Sequence, residues 1–135
     1  MVNEDPAIGD VFAINDFEFT IQGTNVQETV GDFDPSEANG IYLVVYLDVK
    51  NVSNRPRTFP YDDFEVVDGQ GRSYSFDEFA AINLLIYEFD QFSTMYEELQ
   101  PGVITSTGLI FDAAVEATGF KLTNARGDFE APLDR

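Results

Sequence analysis

An all-β sandwich of two packed sheets is the fold class the sequence predicts, and three features carry it. Short segments alternate apolar and polar residues with a period of two, the mark of half-buried strands. Gly, Pro, Asn and Asp cluster between those segments, where turns need them. The chain is 44% hydrophobic over 135 residues and holds 13 Phe and 6 Tyr, enough apolar surface for a core between sheets. About seven short strands separated by turns fit a sandwich better than a fold with a parallel sheet.

Residues 1–10 are polar, contain Pro6 and Gly9, and read as a lead-in to one domain over 11–135. From Val11 to Ile21 the residues are apolar, aromatic or β-branched, with Phe17, Phe19 and Ile21 alternating against Glu18 and Thr20, which predicts a strand. A second short strand is expected over Val26–Val30. A turn-rich stretch, 31–40, ends in Asn39-Gly40, a strong turn signal. Ile41–Lys50 is the clearest strand: Ile41, Leu43, Val45, Leu47 and Val49 form the face expected in the core, while Tyr42, Val44, Tyr46, Asp48 and Lys50 form the other.

Asn51 to Pro56 breaks that ladder, because Pro has no N–H to donate and Asn and Ser bond locally. Phe64–Val67, the turn Asp68-Gly69-Gln70-Gly71 and Arg72–Phe76 form a hairpin. Near 77–98 an insertion is expected, either helical or irregular, since Phe79, Ile82, Leu85, Ile86 and Phe89 recur at three- and four-residue spacing. Its aromatics would then close the open end of the sandwich. Val103–Phe111 is a strand whose two parities compete for the core, Phe120–Thr123 is the last strand, and Phe129 extends it past Asn124-Ala125-Arg126-Gly127.

The order of these pieces is similar to that of a bacterial and archaeal family of immunoglobulin-like domains of unknown function, itself related in fold to the mycobacterial immunoprotective extracellular protein. The residues that resemble it are Gly40 to Asn51, a long strand ending in Asn; Thr58-Phe59 with Asp63 to Asp68 and Gly71; the Leu99-Gln100-Pro101-Gly102 turn; and Gly108 to Asp112. The resemblance implies an immunoglobulin-like sandwich. It also implies a secreted or cell-surface setting, and it brings no catalytic residues with it. Its motifs belong to strands and turns, so they speak for fold and not for activity.

Charge narrows the partners. Twenty-five Asp and Glu against seven Lys and Arg give a formal net charge of −18. No basic residue precedes Lys50 and none lies between Arg72 and Lys121, so nucleic acid and anionic membrane surfaces meet a repelling field. A protein partner, or a second copy of the chain, fits better. With only two lysines, the composition also resembles that of proteins from concentrated salt, and adaptation to high salt is the expectation. Met1 to Asp5 shows no signal peptide, and no stretch approaches the roughly 20 apolar residues that span a bilayer, so direct membrane insertion is not expected.

The residue inventory removes most chemistry. Without Cys or His there is no thiolate nucleophile, no imidazole base and no zinc or copper site of the usual kind. A serine-lysine pair would need Lys50 or Lys121 buried, and Gly69-Gln70-Gly71 sits in a hairpin with no lysine or helix after it. Paired carboxylates make a small hydrolase the distant alternative, but among 25 acids a pair at any chosen spacing carries no weight. The domain is therefore expected not to be an enzyme. Asn51-Val52-Ser53 matches a glycosylation pattern.

Two candidate sites remain. Asp32, Asp34, Ser36 and Glu37 place oxygen ligands at alternating positions of a turn, as a calcium loop would, without the central glycine and distal glutamate of such a loop. Asp62, Asp63 and Asp68 form a lesser set. The second candidate is aromatic: Phe79, Tyr87, Phe89, Phe92 and Tyr96, with Tyr74 and Phe76 before them, suited to a protein-binding face. The expected role is a non-enzymatic binding or structural accessory module with a protein partner, the alternative a calcium-stabilised surface module.

Overall fold

The computed structural model describes residues 7–89 and 98–135. Among these residues the strands are β1 (Val11–Ile14), β2 (Phe17–Val30), β3 (Ser36–Asn51), β4 (Arg57–Thr58), β5 (Phe64–Val67), β6 (Ser73–Ser75), β7 (Glu98–Leu99), β8 (Ile104–Ala113), β9 (Lys121–Asn124) and β10 (Glu130–Pro132). One helix, α1 (Glu78–Phe89), follows β6. The first sheet runs β1-β2-β3-β8 and the second β10-β9-β5-β6, while β4 and β7 pair as a two-stranded ribbon. All the ladders are antiparallel. This is the immunoglobulin-like two-sheet sandwich that the sequence predicts, and of the two forms open for its insertion, helical or irregular, the described part is helical.

The core lies between the sheets. Phe19, Ile21, Leu43, Val45, Leu47, Val49, Leu109 and Phe111 are buried on the first sheet, and Phe64, Val66, Leu122 and Ala131 on the second. Phe59, from the segment joining the two sheets, fills one end. Its ring meets Phe17 and Phe19 edge-on at 5.4 and 5.3 Å and stacks on Phe64 at 5.5 Å. Each such ring stabilises by about 1.5–3 kcal/mol through burial, with a further contribution from edge-to-face contact.

Four expectations change in detail. Val11–Ile21 is two strands, because Asn15 adopts a left-handed backbone (φ 53°) and reverses the chain before Phe17. The separate strand over Val26–Val30 belongs to the same β2, bulged between Ile21 and Gly23 and between Gln27 and Thr29. Asn39-Gly40 is not a turn but part of β3, where the chain runs too close to β8 for any side chain. A Cβ on Gly40 would lie 1.9 Å from the Ala113 carbonyl oxygen. Phe129 does not extend β9: the chain turns at Gly127 (φ 69°), and β10 comes back antiparallel.

The insertion is a full twelve-residue helix. Asp77 caps it, accepting the Ala80 N–H on its carboxylate at 3.1 Å and the Ala81 N–H on its carbonyl at 2.9 Å. The helix does not close the end of the sandwich. It packs on the outer face of the first sheet, against β2, β3 and β8. That is why Tyr42 and Val44, expected on a solvent-facing side, are buried, and why both parities of β8 are covered: Leu109 and Phe111 by the second sheet, Ile110 by the helix. Gly108 makes the room, since a Cβ there would lie 3.1 Å from both Leu84 and Phe89.

Candidate functional site

The acidic turn comes first. Asp32 and Asp34 are exposed in the connection between β2 and β3, with Asp34 in a left-handed conformation (φ 51°). Ser36 and Glu37 are successive residues of β3, so their side chains leave opposite faces of the sheet. The Ser36 hydroxyl accepts a hydrogen bond from the Asn83 side chain of α1 at 2.9 Å. Among the described residues no group of three or more acids gathers as metal ligands.

Asp68, from the lesser acidic set, does structural work. Its side chain is fully buried and one oxygen accepts the N–H groups of Gln70 and Arg72 at 2.9 and 3.0 Å. The other accepts the Arg72 Nε–H at 2.7 Å and the Tyr74 hydroxyl at 2.9 Å. Burial alone would push this carboxyl up, but the Arg72 and Gln70 N–H groups, the Tyr74 hydroxyl and the Arg72 guanidinium together outweigh it and hold the pKa at about 2. With the ordinary value at 3.8, the resulting stabilisation is complete above that pH and is lost as pH falls through about 2. Asp68→Asn is expected to lower the urea midpoint at pH 7 and to narrow the gap to the parent protein as pH falls toward 2. Midpoints that run parallel at every pH would remove this role.

The aromatic set divides. Phe89 turns inward onto Tyr46, with ring centroids 5.9 Å apart, and Tyr74 is held by Asp68. Phe79 and Tyr87 are exposed, at 83% and 42%, and Ile82, one turn on from Phe79, is 42% exposed. Phe92 and Tyr96 lie outside the described residues. Phe79, Ile82 and Ile86 fall on one crest of α1 at spacings of three and four, opposite the buried Ala80, Ala81, Leu84 and Leu85. No basic residue occurs in the helix. Glu88 accepts hydrogen bonds from Tyr46 and Gln27, at 3.0 and 2.9 Å, which clamps the helix to the sheet.

Sequence reasoning missed a cleft of about 340 Å³ beside the start of α1. Phe59, Pro60, Tyr61 and Phe76 line it, with Asp62 and Glu78 also at its wall. These residues come from the β4–β5 connection, which includes the 3₁₀ turn Tyr61–Asp63, and from the segment entering the helix, two pieces that the fold brings together. The Tyr61 ring is perpendicular to Phe59 at 4.7 Å and inclined by 33° to Phe76 at 6.0 Å. Its hydroxyl shares a buried hydrogen bond of 2.8 Å with Thr107, and burial pushes the phenol up, so it stays neutral. A second cleft, about 260 Å³, contains Arg57 and Arg126 together with Asp16 and Asp63. Arg57 pairs there with Asp16 at 3.1 Å, and Arg126 pairs with Asp128 at 3.3 Å.

Fold and surface define a small immunoglobulin-like sandwich carrying a helix on one face. The chain belongs to the family described as a domain of unknown function (DUF4352), which it matches over residues 6–132. No curated protein matches it. Among solved structures it is similar to a conserved hypothetical protein of Bacillus anthracis, with a TM-score of 0.74 at 16% identity, covering 97% of this chain and 96% of that one. It is similar also to an uncharacterized β-sandwich protein of Clostridium difficile (TM-score 0.62, 15% identity, 98% and 95% covered). A third is MPT63, a secreted protein of Mycobacterium tuberculosis (TM-score 0.62, 11% identity, 99% and 100% covered). At these identities the likeness is one of fold. Among the described residues no helix is long and apolar enough to cross a membrane.

Proposed function

We propose that residues 11–135 act as one non-enzymatic binding or structural accessory module in an extracytoplasmic or cell-surface setting, and that the outer crest of α1 is the surface it offers to a protein partner. The observation that carries this reading is the exposure of Phe79, Ile82 and Tyr87 on a helix whose opposite side already anchors it to the sheet. An apolar crest adds nothing to folding once Ala80, Ala81, Leu84 and Leu85 are buried, and on so acidic a molecule it is suited to hold a partner. The partner's patch would be apolar with a basic rim, to meet the acidic surface around the crest. The extracytoplasmic setting draws on the fold shared with a secreted protein. The acidic surface is read as an adaptation to concentrated salt, and a melting temperature that rises from low to molar salt is the result expected of it.

A photo-crosslinking residue placed at position 82 tests the crest. The expected result is a discrete adduct with one envelope or secreted protein, absent when the crosslinker sits at Lys121 on the second sheet. Purified, that protein should bind at least about tenfold more weakly to Ile82→Asp, whose melting temperature should stay near that of the parent. Equal labelling from both positions would reject the crest as the contact surface.

A further inference from the structure

We infer that Phe33, in the turn between β2 and β3, and Phe79, on the first turn of α1, act together as two anchors for a protein partner that presents an apolar stripe with Lys or Arg beside it. The two rings are 82% and 83% exposed, well above the 42% of Tyr87, and neither packs on the core. One helix residue brings them to the same end of the molecule. Asn83 donates to the Val30 carbonyl at 3.4 Å and to the Ser36 hydroxyl at 2.9 Å, so it spans both ends of the turn that carries Phe33. Phe79 lies one helical turn before Asn83, on the same side of α1. Gly31, two residues before Phe33, is pressed against Asn83: a Cβ there would lie 3.2 Å from the Asn83 side-chain carbonyl carbon, and the φ of 100° suits glycine.

The turn is held in shape before any partner arrives. Asn83 ties its two ends to α1 and Pro35 has a fixed φ, so Phe33 loses little freedom on binding beyond its own rotamers. Charge then selects the partner. Asp32 and Asp34 flank Phe33, are exposed, and have no partner among the described residues. Neither the turn nor α1 contains a basic residue, so the cations come from the other protein. Lys or Arg beside an apolar stripe would meet those carboxylates while the stripe buries both rings, and buried aromatic anchors are where binding energy concentrates. A second copy of the chain is a poor occupant, because two molecules of net charge −18 would bring acidic surfaces together. A lipid surface is a poor one too, since it would take up Phe33 with a carboxylate on either side.

This inference rests on the crest of α1 as the partner-binding surface and adds Phe33 to it, and the variants separate the two. The whole chain, at an ionic strength of about 0.15 M, is titrated with an amphipathic helical peptide of leucine and lysine and with a serine-lysine peptide of equal charge, following the Phe33 and Phe79 ring resonances. The leucine peptide should shift both rings saturably with one Kd and bind at least about tenfold more tightly than the serine peptide. Phe33→Ser and Phe79→Ser should each weaken it about tenfold while melting near the parent, and Asp32→Asn with Asp34→Asn about threefold. Parent-like affinity in Phe33→Ser beside a loss in Ile82→Asp would overturn the role of Phe33 and leave the crest standing. Losses in Phe33→Ser and Phe79→Ser beside parent-like Ile82→Asp would keep the two anchors and remove the rest of the crest. Equal binding of the two peptides would overturn the anchors. Tighter binding to phosphatidylcholine vesicles than to the leucine peptide would overturn a protein as the occupant, and a dimer in sedimentation that Phe33→Ser returns to the monomer would give the surface to a second copy instead.

Discussion

Gly40→Ala is expected to destabilise the domain by more than about 4 kcal/mol, at the far end of what single substitutions do. The added methyl would sit 1.9 Å from the Ala113 carbonyl oxygen and 2.9 Å from its carbon. Both are backbone atoms of β8, so no rotamer change relieves the contact. Moving β8 away breaks more than one ladder bond. The Asp112 carboxylate accepts the N–H groups of Asn39 and Gly40, at 2.7 and 2.9 Å, where β3 passes the end of β8. Opening the clash would pull both donors off that carboxylate. Against a total stability of about 5–15 kcal/mol for a domain, the variant should be largely unfolded at physiological temperature or recovered insoluble. A denaturant midpoint within error of the parent protein would mean that this end of β3 peels away at little cost, and the clash would carry no weight.

Gly40 also shows why part of the fold was hidden. Its dipeptide, Asn39-Gly40, carries the chemistry of a hairpin turn, yet glycine is required here by a close approach between strands and not by a positive φ. Nothing local distinguishes the two uses. Ile41–Lys50 was legible because one face is buried against the second sheet with an unbroken period of two. The other face was misjudged for a tertiary reason: Tyr42 and Val44 are covered by α1, some forty residues away in sequence, about which the strand says nothing. For the helix itself the signals were present in Asp77 as a cap and in the spacing of its apolar residues, but Phe79 and Ile82 on the outer side blurred the amphipathic pattern. That same blurring is what marks the crest as a surface. The aromatic cleft left no trace of its own, since Phe59 and Tyr61 come from one connection and Phe76 from another, and each reads alone as a core residue.

Asn51→Asp should cost about 3–5 kcal/mol at pH 7, part of it regained in acid. Asn51 ends β3 with no exposed surface, and its amide uses every hydrogen-bonding position it has. The NH₂ group donates to the carbonyls of Arg55 and Leu99 at 2.9 and 2.8 Å, and the oxygen accepts the Ser53 N–H and hydroxyl at 2.9 and 2.8 Å. Its own carbonyl accepts the Gly102 N–H at 2.8 Å. One side chain thus ties the long strand to the loop after it, to β7 and to the Pro-Gly turn, which accounts for an Asn at this place in the sequence. It also closes the glycosylation pattern at 51–53, because the acceptor nitrogen is enclosed. Aspartate keeps the shape and both acceptor contacts but replaces two donations with a carboxylate facing two carbonyl oxygens. Its folded-state pKa must rise, so stability is diminished above that value and recovers as pH falls through it, when the carboxyl can donate once. Asn51→Leu removes the same bonds without a titratable group and should lose stability by a similar amount at every pH. Urea midpoints of the two variants relative to the parent, at pH 7 and pH 4, separate hydrogen bonding from packing. A recovery in acid shown by the aspartate variant alone assigns the loss to the two donations, and equal deficits at both pH values would assign it to fit.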